Sequence, residues 1–199
     1  MAIGFGASAL GLVGRMPSGP GPIPDELIYK IARSVPPPVA TFLLTSETGA
    51  GEIIEHHRRT STNTIQLVDA VPPGTYSELR TAMPSVKLVQ VIHVTGGHSV
   101  DEALQVASEV DALLLDSGNP NLKVKELGGT GRTHNWKLSR RICELAPVPV
   151  FLAGGLNPDN VRRAIEEVQP FGLDLCNGVR TNGALDREKL ERFFTGAGY

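Results

Sequence analysis

Seven short apolar runs, rich in leucine and β-branched residues, alternate with amphipathic stretches from Ala9 to Phe194. That regular beat restricts the chain to repeated strand-helix units around a parallel sheet. The candidate strands are Ala9–Val13, Val39–Leu44, Thr64–Val68, Lys87–Val94, Ala112–Leu115, Val148–Leu152 and Gly172–Cys176. Helical patterns fall at Asp25–Ser34, Gly51–Arg59, Tyr76–Ala82, Val100–Ser108, Trp136–Leu145, Pro158–Val168 and Arg187–Phe194. Most strands read as continuous apolar runs, which predicts cover on both faces, as parallel strands with helical crossovers have. An open doubly wound sheet and a (β/α)8 barrel both meet that condition. Polar and glycine-rich material after each strand favours the barrel, whose active sites gather at the C-terminal strand ends. Two helix starts carry cap chemistry: Ser99 precedes Asp101 and Glu102, and Asn157-Pro158-Asp159 offers an N-cap followed by proline. The glycine-broken apolar opening, Met1–Gly14, reads as buried structure, and the prolines of Pro17–Pro24 and Pro36–Pro38 as loops. The pattern predicts one α/β domain over residues 1–199.

Charge and cysteine content narrow the class of partner. With 19 basic against 21 acidic residues the net charge is −2, so there is no electrostatic footprint for nucleic acid or an anionic membrane. No stretch approaches the roughly 18 apolar residues of a membrane span, and the N-terminus does not read as a signal peptide. Cys143 and Cys176 sit in apolar runs, where buried free thiols are the usual outcome, so a reducing cytoplasm fits best.

Chemistry concentrates in the C-terminal third. Gly128-Gly129-Thr130-Gly131, then Ala153-Gly154-Gly155-Leu156-Asn157-Pro158, then Cys176-Asn177-Gly178-Val179 follow successive strands. A strand ending in paired glycines before a helix start aims backbone N–H groups at a positive dipole end, which suits a phosphate. The run Leu113-Leu114-Leu115-Asp116-Ser117 sets a carboxylate just after an apolar strand. Limited water there raises its pKa toward general-acid range, and capping of the next loop is the competing role. Gln66, an amide at a strand end, can donate to or accept from a ligand or serve as a satisfied core amide. His56 and His57 read as helix-surface residues, His98 and His134 as loop residues, and His93 as a strand-end residue that could face a pocket. No histidine spacing supports a metal site. The residues also lack a nucleophile elbow, a phosphate-cradling loop with lysine and a dinucleotide fingerprint.

Taken together, Leu113–Ser117, Gly128–Gly131 with Trp136, Leu152–Val161 followed by Ala164-Ile165 and Pro170, and Asp174 with Gly178-Val179 resemble the phosphoribosylanthranilate isomerase family. The likeness covers roughly residues 60 to 195, with a weaker extension through Ala9–Val13, Pro17-Ser18 and Gln66-Leu67. It implies a (β/α)8 barrel that performs an Amadori rearrangement in tryptophan biosynthesis with no cofactor and no metal. N-(5-phosphoribosyl)anthranilate becomes its 1-deoxyribulose 5-phosphate isomer. By the resemblance Asp116 is the general acid, and the backbone around Gly154-Gly155 and Asn177-Gly178 holds the phosphate. Gly128, Gly129 and Gln66 complete the expected substrate-binding set.

Several positions depart from the family pattern. The Lys-Ile-Cys-Gly strand that carries the family's general base has no counterpart, and neither Cys143 nor Cys176 stands in its place. Gln-Leu-His-Gly appears as Gln66-Leu67-Val68-Asp69, the Met16–Gly21 loop lacks an arginine, Asn135 replaces an aspartate and Arg180 a glutamate. Aligned on the family, Ala9–Val13 is its second strand and Met1–Ser8 the tail of its first helix. Two expectations follow: either Met1 is an internal methionine and the natural protein carries the missing strand with its cysteine, or the chain is a barrel of seven units, with a seam closed by a partner such as a second copy, or else with activity lost. The alternative reading is a non-catalytic relative that binds a sugar phosphate in the same pocket.

Overall fold

The computed structural model describes residues 1–19 and 21–198. Seven parallel strands hydrogen-bond in chain order: β1 (Ala9–Val13), β2 (Ala40–Thr45), β3 (Thr64–Leu67), β4 (Lys87–His93), β5 (Ala112–Asp116), β6 (Val150–Leu152) and β7 (Gly172–Leu173). Each is followed by a helix: α1 (Asp25–Ser34), α2 (Ala50–Thr60), α3 (Thr75–Ala82), α4 (His98–Val106), α5 (Trp136–Leu145), α6 (Val161–Val168) and α7 (Arg187–Ala197). A short hairpin, β8 (Arg180–Thr181) and β9 (Ala184–Leu185), precedes α7. The sheet is strongly curled. Phe42 of β2 and Phe151 of β6 are four places apart in strand order, yet their rings meet edge to face at 6.3 Å.

Curling gives every strand two apolar faces, which explains the unbroken apolar runs. Outward residues such as Ile65, Leu67, Leu113, Leu115 and Leu152 pack against Ile53, Leu79, Ala103, Ile142 and Val161 of the surrounding helices. Inward residues Val68, Val89, Val91, Ala112 and Leu114 fill the lumen with Phe42, Leu44 and Phe151. Strands β3 and β5 are buried throughout, whereas β1 and β7 are the two edges of the sheet and only partly covered. The curl stops at a seam between them.

Local differences from the sequence reading have local causes. Strand β7 is two residues long instead of five, because an edge strand is paired on one side only and the chain turns into a 3-10 turn at Asn177–Val179. Helix α6 begins at Val161, not at Pro158. The side chains of Asn157 and Asn160 hold residues 157–160 in a turn, through Asp159 N–H to Asn157 Oδ1 and Asn157 N–H to Asn160 Oδ1, both 2.9 Å. Ser99 lies inside α4 and donates to the His93 carbonyl at 3.2 Å, tying helix to strand where a first-turn cap was expected. The opening segment makes one 3-10 turn, Ala2–Phe5, with no buried residue; its hold on the domain is Phe5 stacked on Phe194. Both cysteines are free and only half-buried, since each lies at the margin of the core. Burial still pushes the Cys143 thiol up to about 11.

His56 is not a surface residue. It is 2% exposed, with Nδ1 3.0 Å from Glu47 Oε2 and Nε2 3.2 Å from Asp25 Oδ1. Because α2 turns this position toward the β1 end, the imidazole packs against Gly14, where any Cβ would stand 2.5 Å from the ring.

Candidate active site

The C-terminal ends of the strands surround a cavity of about 330 Å³. Its floor is the lumen cluster, with Val91 and Leu114 at the bottom, and its rim is built from the loops after β1, β5, β6 and β7. Gln66, Asp116, Gly128, Gly129, Gly154, Gly155, Asn177 and Gly178 all line it. Residues up to 112 positions apart in sequence thus converge on one cavity because parallel strands present all their C-terminal ends on one side.

Asp116 is the last residue of β5 and is 6% exposed. Burial raises its pKa, against the opposing pull of hydrogen bonds from the Ser117 N–H and hydroxyl and of His93 on the neighbouring strand. A carboxyl that holds its proton in a closed site can donate it. It also accepts the first N–H of the next loop, which is the capping role weighed against acid chemistry.

The glycine turns interlock through backbone. A Cβ on Gly178 would sit 1.9 Å from the Leu156 carbonyl oxygen, and one on Gly155, at φ 64°, would meet the Arg132–Thr133 peptide within 2.8 Å. Only glycine permits the loops after β5, β6 and β7 to approach so closely. Asn177 Nδ2 donates to the Gly129 carbonyl at 2.9 Å, joining the first turn to the last, and the Gly155 carbonyl accepts from Asn160 at 3.0 Å. Among the described residues no lysine, arginine or histidine lines the cavity.

A family model described as N-(5'-phosphoribosyl)anthranilate isomerase matches residues 28–196. The chain belongs to the phosphoribosylanthranilate isomerase family. An N-(5'-phosphoribosyl)anthranilate isomerase of Methanocella arvoryzae is 33% identical over 189 residues, covering 95% of this chain and 86% of that one. One from Methanosarcina mazei is 35% identical over 195 residues, covering 97% and 85%. A solved phosphoribosyl anthranilate isomerase from Thermotoga maritima superposes with a TM-score of 0.81 at 26% identity, over 99% of this chain and 91% of its own.

Within this isomerase-family pocket the remaining candidates separate. Gln66 is 5% exposed, and among the described residues its carboxamide has no hydrogen-bond partner, so it is not the satisfied core amide that was the competing role. His93 does not line the cavity: its Nε2 hydrogen-bonds the Val68 carbonyl at 2.9 Å, and it stands behind Asp116 in the β4–β5 register. His134 is packed behind the Gly154 turn, bonded to Ser139 at 2.7 Å, and burial holds its pKa down to about 4, so it is neutral near pH 7. Val68, which takes the place of the family's histidine, fills the lumen, and Asp69 is ion-paired to Lys125 of the long loop after β5. No group of three His, Cys, Asp or Glu side chains among the described residues could hold a metal ion.

Sequence reasoning passed over Asp174 and Cys176 as site residues, and both line the cavity. For Asp174 the signal was available: like Asp116, it is an acid directly after a short apolar run. Burial, with the charge of Asp116 second, pushes its pKa up to about 6.

Proposed function

We propose that residues 1–199 act as one catalytic domain that isomerises N-(5'-phosphoribosyl)anthranilate to 1-(2-carboxyphenylamino)-1-deoxyribulose 5-phosphate, a step of tryptophan biosynthesis. The observation that carries this reading is a single cavity holding a buried Asp116, whose pKa burial raises, beside interlocked glycine turns. The phosphate sits on the backbone of Gly154-Gly155 and Asn177-Gly178, with Gly128-Gly129 beside it. The glycines allow the chain to come within hydrogen-bonding reach without a Cβ in the way.

Asp116 protonates the furanose ring oxygen. The anilino nitrogen lone pair expels that oxygen from C1, and the sugar opens to a Schiff base. Loss of the C2 proton gives an enolamine, which tautomerises to the ketone. Gln66, with a free carboxamide deep in the lumen, bonds the substrate beside the reacting carbons. No step calls on a metal or cofactor.

The test is direct assay of the purified chain with N-(5'-phosphoribosyl)anthranilate, beside Asp116→Asn. Loss of the acid is expected to cost about 10²–10⁴-fold in kcat, with binding of a phosphorylated product analogue retained. Turnover unchanged in Asp116→Asn would sink its assignment, and failure of the folded chain to bind the analogue would sink the phosphate site.

We also infer that the seam between β1 and β7 is covered by a second copy of the chain. Two strand edges lie open there, and Phe171, stacked edge-on to Phe151, is 72% exposed beside them. Light scattering that finds only monomer up to high micromolar concentration overturns this. Two free thiols support a reducing, cytoplasmic setting, and no helix among the described residues is long and apolar enough to cross a membrane.

A further inference from the structure

We propose that the hydroxyls of Ser117 and Thr130 form a hydrogen-bond chain that orients Asp116 and steadies its carboxylate as the proton leaves, so that both are positioning residues for the acid. The proposal rests on the isomerase reading above, in which Asp116 is the general acid, and names what supports that acid. Ser117 follows Asp116 at the end of β5, and its Oγ lies 2.7 Å from Thr130 Oγ1 in the loop between β5 and α5. Thr130 Oγ1 accepts the Arg132 N–H at 3.3 Å, which leaves its own O–H to donate to Ser117 Oγ. The Ser117 hydroxyl in turn donates to Asp116. Donation then runs in one direction, from the Arg132 N–H through Thr130 and Ser117 to the carboxyl, and each donor in such a chain polarises the next.

The glycine turns fix where this chain sits. A Cβ on Gly154 would stand 3.0 Å from Ser117 Oγ, and one on Gly128, at φ 135°, 2.9 Å from Asp116 Oδ2. Acid, serine and turns are thus packed against one another, with Asp116 and Thr130 both lining the cavity. Such a chain serves the carboxyl most when charge appears on it. As the C1–O bond breaks and the ring oxygen takes the proton, the electron pair of that O–H bond stays on Asp116, in a site where burial penalises charge. A donor already in place lowers the energy of the forming anion without rearranging, so it favours the transition state over the resting acid.

Two other ionisable groups face Asp116: His93 from β4, its partner in the strand register, and Asp174 from the end of β7. Ala153 and Gly154, which follow β6 between them, bring no charge, nor does Gln66 of β3; Cys176 lines the same cavity. None of these belongs to the hydroxyl chain, so substitutions of Ser117 and Thr130 leave their charges where they are. The Ser117 N–H, which also meets the carboxyl, is kept as well. Loss of the Ser117 hydroxyl therefore has a definite sign. It removes a donor that favours the anion, so Asp116 holds its proton to higher pH.

The experiment compares the whole chain with Ser117→Ala, Thr130→Val, the double variant and Thr130→Ser. The readouts are kcat, the alkaline limb of the kcat/KM pH profile, affinity for a phosphorylated product analogue, and titration of the Asp116 carboxyl by carbon-13 NMR, assigned by its absence in Asp116→Asn. Ser117→Ala is expected to move limb and titration up by about one pH unit and to lower kcat about tenfold, with analogue affinity kept within about threefold. Thr130→Val shifts both the same way by less, and the double variant matches Ser117→Ala, because Thr130 acts through Ser117. Thr130→Ser keeps the hydroxyl and returns the unsubstituted profile. Thr130 is only partly buried in its loop, so Thr130→Val carries the test even where Ser117→Ala fails to fold. A fall in kcat with limb and titration unmoved overturns the proposal, since it marks a structural role alone. So does a double variant whose shifts are the sum of the single ones, or Thr130→Val titrating as the unsubstituted chain does. An unsubstituted chain that binds the analogue and isomerises nothing defeats the isomerase reading itself, while the carboxyl titration still decides whether the hydroxyls act on Asp116.

Discussion

Gly178 has less freedom than any other position around the cavity, because a single added carbon would overlap the Leu156 carbonyl. Gly178→Ala is expected to push the last turn off the Gly154-Gly155 turn and to weaken binding of a phosphorylated product analogue on the order of 10- to 100-fold, measured by calorimetry. Asp174 makes a prediction of opposite sign for stability. Its folded pKa of about 6 lies above the ordinary 3.8, so the folded state binds its proton more tightly than the unfolded chain does. The stabilising share of that proton is complete below about pH 4 and lost as pH rises through 6. Asp174→Asn should therefore melt higher than the unsubstituted chain above pH 6, by at most about 3 kcal/mol, with the difference vanishing near pH 4 in thermal scans. Asp116 was legible as a site residue because an acid ending an apolar run is conspicuous. Asp174 carries the same mark, but its charge becomes informative only once β5 and β7 are known to flank one strand.

The strands and helices were legible wherever an apolar run met covering elements on both sides. Helices α1 and α5 begin and end where their periodicity places them. The misplaced ends have in common a side-chain hydrogen bond or a missing neighbour: the asparagine turn before α6, Ser99 bonded back to β4, and β7 at a sheet edge. His56 misled for a related reason, since a helix gives no outward sign that a polar residue will be met by buried partners. Its imidazole links Asp25 at the start of α1 to Glu47 in the loop after β2. His56→Ala leaves those two carboxylates facing an empty space, and chemical denaturation should show a loss of about 2–4 kcal/mol. The Met16–Gly19 part of the loop after β1, which borders the cavity, is expected to loosen with it and to raise KM.

Across the whole molecule, stability should grade from the middle of the sheet to the seam. Strands β3, β4 and β5 are paired on both edges and packed on both faces, whereas β1 and β7 have one free edge each. In dilute monomer, native-state hydrogen exchange should find the slowest amides in β3–β5 and the fastest strand amides in β1 and β7, a difference that narrows at concentrations where a second copy covers the seam. Equal protection in all seven would mean that the seam is already covered in solution. The barrel class, the parallel order and the acid at the end of β5 followed from the order of residue types alone. They depend on local periodicity and on the rule that parallel strands need helical crossovers, both written along the chain. The convergence of Gln66, Asp116, Asp174 and the glycine turns on one cavity, the burial of His56 and the open seam were settled only by folding. Each depends on distances between segments far apart in sequence, which are fixed when the curling sheet packs its two faces and not before.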